Sequence, residues 1–149
     1  MAAIDARRAL ALVGTCFRPQ GRDPAAGLDC VGLALAAFGL PAHLVRANYR
    51  LRGDHRAEVI RTLLHHFRRV GCRQARPGDL LLLAVAHDQL HLAVRTDRGF
   101  VHADAGLRRV AETPGEPPWP VIGTFRRKRT PPPLACGERS PSPSKLREE

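Results

Sequence analysis

Seven consecutive apolar residues, Leu80-Leu81-Leu82-Leu83-Ala84-Val85-Ala86, follow a Pro77-Gly78-Asp79 turn. A run so short and so apolar, opened by a turn, suits a strand buried on both faces, so material must cover a sheet from each side. Further strands are predicted at Leu90–Arg95 and Phe100–Asp104, joined by the turn Thr96-Asp97-Arg98-Gly99, then at Leu107–Val110 and Val121–Arg126. Upstream the period changes to that of helices. Residues 3–14 predict a short helix carrying Ile4, Leu10, Leu12 and Val13 and stopped by Gly14. Residues 29–39 predict a second, apolar almost all round and therefore buried, with Asp29 as its N-cap. Residues 55–70 predict an amphipathic third helix with Val59, Ile60, Leu63, Leu64 and Phe67 on one stripe, Asp54 as cap and Gly71 as terminator. Between them, Pro19, Gly21 and Pro24 forbid regular structure over residues 17–24. Helices first and strands afterwards indicate an α+β domain, N-terminal helices packed on a small antiparallel β-sheet.

The 149 residues allow one domain of ordinary size, and a hydrophobic share of 44% excludes wholesale disorder. A net charge of +10 invites a nucleic-acid reading, but its distribution argues otherwise. Residues 1–125 carry +6; residues 126–149 carry +4 in far less chain, through Arg126-Arg127-Lys128-Arg129 followed by Pro131-Pro132-Pro133 and a Ser/Pro stretch. We therefore expect a folded domain over residues 1–126 and a basic, Pro/Ser-rich disordered tail over 127–149. No aromatic residue interleaves with the basic run, so no base-stacking platform and no specific nucleic-acid partner is expected. No apolar run approaches the roughly 18 residues of a membrane span. The N-terminus, with Asp5, Arg7 and Arg8 among alanines, lacks the apolar core of a secretory signal, so cytoplasmic synthesis without a signal peptide is expected.

Cys16, Cys30, Cys72 and Cys136 stand 14, 42 and 64 residues apart, a spacing that matches no zinc knuckle. No metal and no cofactor is implied. The adjacent His65 and His66 cannot share a helical face, which removes a metal pair there. Cys16 and Cys72 are expected as small buried hydrophobes, and Cys136 falls in the tail. Cys30 differs: it begins the buried second helix, where the backbone dipole and unpaired N–H groups would stabilise a thiolate and receive an oxyanion. The hairpin supplies its partners. A turn centred on Asp97-Arg98 sets Arg95 opposite Phe100, Ala93 opposite His102 and His91 opposite Asp104. Alternation then puts His91, Ala93, His102 and Asp104 on one face, with the two histidines diagonal neighbours about 7–8 Å apart by backbone geometry. Leu90, Leu92, Val94 and Val101 point to the core. A thiol, a histidine and a further polar group to orient it is the layout of a thiol hydrolase.

These residues also carry a resemblance. Gly27-Leu28-Asp29-Cys30-Val31-Gly32-Leu33, Pro77-Gly78-Asp79-Leu80, His91-Leu92-Ala93-Val94 and Val101-His102-Ala103 resemble, in order and rough spacing from Ala9 to Arg126, the motifs of NlpC-like cysteine peptidases, which cleave peptidoglycan stem peptides. The resemblance implies a papain-like NlpC-type fold, Cys30 as nucleophile, His91 as general base and His102 as the residue orienting it. It further implies Asp29 and Phe17 as substrate-binding residues, with Asp104 as an alternative orienting group. Val31 stands where the family usually has Ser, Phe17 where it usually has Tyr, and the His91–His102 interval is about one residue short. Phe17-Arg18-Pro19-Gln20-Gly21-Arg22-Asp23 and Tyr49-Arg50-Leu51-Arg52-Gly53 resemble the short peptidases of phage tails and gene transfer agents. That implies phage-like tail proteins as partners, and delivery to the cell wall on a particle. The rival readings are a tail-tip structural or binding protein that keeps the fold without turnover, a metal site of Cys30, His91 and His102, and a nucleic-acid module in the tail.

Overall fold

A computed structural model of the chain describes residues 2–46, 53, 55–86 and 88–128. Among the described residues three α-helices precede or flank the main sheet: α1 (Ala2–Ala11), α2 (Cys30–Ala37) and α3 (Arg56–His66). The strands are β1 (Arg22–Asp23), β2 (Gly27–Leu28), β3 (Phe67–Val70), β4 (Leu80–Ala86), β5 (Gln89–Arg95), β6 (Gly99–Asp104), β7 (Arg109–Pro114) and β8 (Val121–Arg127). β1 and β2 form their own small ladder; the other six make an antiparallel sheet in the order β3-β8-β4-β5-β6-β7.

The apolar run takes the central place expected of it. Leu80 and Leu82 pack with Leu33, Leu92, Val94 and Val101 beneath α2, in the larger core. Leu81 and Leu83 face the opposite way, into a smaller cluster with Ala93 and Phe100 that Val85, Trp119 and Val121 border. Asp79, fully buried at the entry to β4, accepts two bonds from Arg126 of β8 at 2.9 Å and one from the Arg76 N–H at 2.8 Å.

Several local expectations are corrected. The third helix stops at His66, and Phe67–Val70 become an edge strand on β8. The buried Phe67 ring meets Phe38 edge-on at 4.9 Å, and pairing with β8 outweighs the helical stripe. Asp54 lies outside the described residues, and His55 holds the N-cap position with no side-chain cap bond. Residues 17–24 contribute to regular structure after all, because Arg22 and Asp23 pair with Leu28 and Gly27. β7 begins at Arg109 rather than Leu107, since Asp104 holds the Gly106 and Leu107 N–H groups in a turn. Cys16 and Cys72 are exposed, not core residues: one sits beside the rim strand β7 and the other starts a single 3₁₀ turn.

The head of the basic run is structural. Arg126 pairs with Asp79, and Arg127 closes β8, meets buried Asp5 of α1 at 3.1 Å and donates to the Phe38 carbonyl at the end of α2. Burial raises the Asp5 carboxyl despite that guanidinium. The tail from residue 129, with Cys136, and the segment 47–52, with Tyr49, lie outside the described residues. Among the described residues no helix is long and apolar enough to cross a membrane.

Candidate active site

Asp29 caps α2 from an extended backbone, and its Oδ1 accepts the Gly32 N–H at 2.8 Å and the Arg22 guanidinium at 2.7 Å. Arg22 also donates to the carbonyls of Gly21 and Arg46, so β1 is tied to the helix end. The approach is close enough to require glycine: a Cβ on Gly32 would lie 2.1 Å from the Gly21 carbonyl oxygen. Cys30, the first residue of α2, is buried. Burial, followed by the Asp29 charge, pushes the Cys30 thiol up to about 12; a backbone bond at Leu92 opposes this only in part. Burial thus opposes the thiolate stabilisation expected of the helix terminus.

The hairpin has the predicted register, with Ala93 opposite His102 and Arg95 opposite Phe100. The diagonal histidines turn their rings together until His91 Nε2 lies 3.0 Å from His102 Nδ1, the planes 87° apart. Burial first, then His102, lowers His91 to about 4, with Asp104 opposing. Burial also lowers His102, again against Asp104. Aromatic rings line the face they occupy. Trp119 stands edge-on to both rings at 6.0 and 5.8 Å between centroids, and Phe100 lies 5.0 Å from His102. Sequence reasoning missed Trp119, because Pro117-Pro118-Trp119-Pro120 reads as a loop. Its signal was a lone tryptophan just before the last strand.

A cleft of about 400 Å³ brings together all six predicted residues, Phe17, Asp29, Cys30, His91, His102 and Asp104, with Trp119 as a further wall. Within it the contacts differ. Among the described residues no hydrogen bond links Cys30 to His91, and His91 bonds His102 instead. Asp29 commits Oδ1 to the Gly32 N–H and the Arg22 guanidinium. Phe17 is half-buried in the cleft wall, its N–H donating to the Arg108 carbonyl. Asp104 Oδ2 stands 3.9 Å from His102 Nε2. With Asp29 taking the Gly32 N–H, the N–H groups of Cys30 and Val31 lie at the first turn of α2. A larger cavity of about 620 Å³, beside α1 and the Thr96–Arg98 turn, contains neither Cys nor His. Among the described residues no group of three or more His, Cys, Asp or Glu is placed to hold a metal ion.

No family model matches the sequence, and a search of curated proteins finds no match. Solved structures do match in fold. The NlpC/p60 domain of the peptidoglycan hydrolase SagA aligns with a TM-score of 0.56 at 20% identity, over 76% of this chain and 89% of that one. NlpC1 and NlpC2 from Trichomonas vaginalis align at 0.62 and 0.60, with 19% and 18% identity, each over 85% of this chain. This chain spans 43% and 48% of those two structures, less than half of either. The expected papain-like, NlpC-type α+β fold is the fold the chain adopts.

Proposed function

We propose that this chain is a cysteine peptidase of the cell wall, hydrolysing an amide bond of a peptidoglycan stem peptide. The observation that carries the reading is a helix-N-terminal thiol and a 3.0 Å histidine pair opening into one cleft of an NlpC/p60-type fold. The chemistry starts from uncharged groups, a thiol near 12 and an imidazole near 4. Since His102 occupies Nε2 of His91, Nδ1 is the nitrogen left to serve as base. As a substrate carbonyl enters, the Cys30 thiol proton passes to His91 Nδ1 and Sγ bonds the carbonyl carbon. The N–H groups of Cys30 and Val31 hold the oxyanion. The His91 imidazolium returns its proton to the leaving amine as the C–N bond breaks, leaving a thioester. Water, deprotonated by neutral His91, then releases the acid and restores the thiol. Asp29 Oδ2 receives the substrate's amino group, and Phe17 lines the apolar side.

The phage-tail and gene-transfer-agent motifs support delivery on a phage-like particle after cytoplasmic synthesis, with tail proteins as partners. The test is digestion of purified sacculi with mass analysis of the fragments: wild type should release stem-peptide cleavage products and Cys30→Ala none. Equal release by both proteins would end the reading, and absence of the protein from purified particles would end the tail association. One observation favours a second reading, a tail-tip binding protein without turnover: Cys30 is buried, and that burial raises its thiol and opposes ionisation. In that case wild type and Cys30→Ala bind sacculi equally and neither cuts them.

A further inference from the structure

The mechanism above leaves one carboxylate of the cleft without a task. Asp104 ends β6, and its Oδ1 accepts the N–H groups of Gly106 at 2.8 Å and Leu107 at 3.1 Å. The group is thereby held in one orientation, with Oδ2 turned to His102 Nε2 at 3.9 Å. Thr113 of β7 is the other polar neighbour of that nitrogen, its hydroxyl 3.5 Å away and able to donate or accept. The opposite nitrogen, Nδ1, meets His91 at 3.0 Å. The charges acting on His91 are those of His102 and Asp104, and the charge acting on His102 is that of Asp104; Phe100 stands against His102 and Trp119 against both rings.

A neutral imidazole has one N–H and one lone pair, and an ionised carboxylate only accepts. Facing Asp104, His102 must present its N–H at Nε2, because a lone pair there would face a negative charge. Its lone pair then lies on Nδ1 and accepts from His91. His91 therefore carries its proton on Nε2 and its lone pair on Nδ1, the nitrogen the reaction needs. We propose that Asp104 is a positioning residue that sets the tautomer of both histidines, acting in series with His102 and not in its place. Its consequence for rate rests on the peptidase reading; its effect on the tautomers does not.

The arrangement makes the conservative substitution the more harmful one. In Asp104→Asn the carbonyl oxygen stays with the Gly106 and Leu107 N–H groups, so the amide nitrogen takes the place of Oδ2 and presents donors to His102. His102 then moves its proton to Nδ1, and His91 is left with its lone pair on Nε2, turned away from Cys30. Asp104→Ala removes the carboxylate without imposing the opposite order. Long-range ¹⁵N–¹H spectra of the imidazoles at pH 7 should show Nε2–H on both histidines in wild type and Nδ1–H on both in Asp104→Asn. Asp104→Ala should show a mixture and answers the question alone if the Asn variant does not fold. On sacculi, kcat should fall about 100-fold for Asn and about 10-fold for Ala at unchanged KM, less than the ~10⁴-fold of a triad carboxylate in direct contact. Identical tautomers in wild type and both variants, or Nδ1–H on His91 in wild type, overturns the proposal. A tautomer switch in a protein that never cuts sacculi upholds it and removes the peptidase reading instead. Cys30-dependent hydrolysis with unchanged tautomers does the reverse.

Discussion

Alkylation of Cys30 by iodoacetamide tests whether the resting site is neutral. With the thiol at about 12, the thiolate fraction at pH 7.5 is about 3 × 10⁻⁵. An ordinary free thiol such as glutathione, with a pKa of about 8.5, is roughly 10% thiolate there, some 3,000-fold more. A more basic thiolate is also the better nucleophile, and a Brønsted slope of about 0.45 over 3.5 units recovers roughly 40-fold. Cys30 should therefore react about 80-fold slower than glutathione before any steric hindrance from burial. Its rate should rise tenfold per pH unit from 7 to about 11. Quenched labelling followed by peptide mass mapping separates Cys30 from the exposed Cys16 and Cys72. His91→Ala should leave the resting rate nearly unchanged, because no imidazolium supports the thiol. A rate that plateaus between pH 5 and 8, or that collapses in His91→Ala, would show a preformed thiolate–imidazolium pair and refute the reasoning.

Acid should destabilise the fold through His91. Its pKa is about 4 folded against 6.5 unfolded, so the unfolded state binds more protons between those values and stability rises with pH there. The difference is about 3 kcal/mol in all, and His91→Gln should flatten the dependence of the urea midpoint on pH from 7 to 4; an unchanged slope would sink the assignment. Asp79→Ala removes the bidentate partner of Arg126, whose guanidinium still reaches solvent, and should lower stability by about 2–3 kcal/mol; a loss under about 1 kcal/mol would deny the pair that role. Gly32→Ala drives a Cβ to 2.1 Å from the Gly21 carbonyl and should cost about 3 kcal/mol in a melting or urea experiment. If Gly32→Ala melts like wild type, the loop does not sit on α2 as described.

What was legible in the sequence was what alternation and local capping decide. The apolar run at Leu80–Ala86, the parity of the β5–β6 hairpin and the Asp29 cap all follow from neighbours a few residues away, and each appears in the structure. The failures come from distant partners. Nothing local in Phe67–Val70 announces that β8 will claim it as a strand. Arg126 and Arg127 read as the head of a charged tail because Asp79 and Asp5, their buried partners, lie 47 and 122 residues away. Trp119 was invisible as a site residue for the same reason: only the folded sheet brings a proline-flanked loop against the His91 and His102 rings.

The electrostatics of the site depart furthest from what the sequence suggests, and the cause is the same burial that makes the fold stable. A helix terminus lowers a thiol where water still reaches it; Cys30 is buried at the head of α2, and the Asp29 charge beside it adds to the upward shift. The Trp119–Phe100 wall does the equivalent to the histidines. Both titrating partners are thus pushed towards neutrality from opposite directions, which leaves proton position, not net charge, as the variable the resting site controls. In a pair of that kind an orienting group gains importance, because a base with its lone pair on the wrong nitrogen cannot be rescued by Coulomb attraction to a thiolate. A rigidly held carboxylate behind the second histidine is the device that such a site requires.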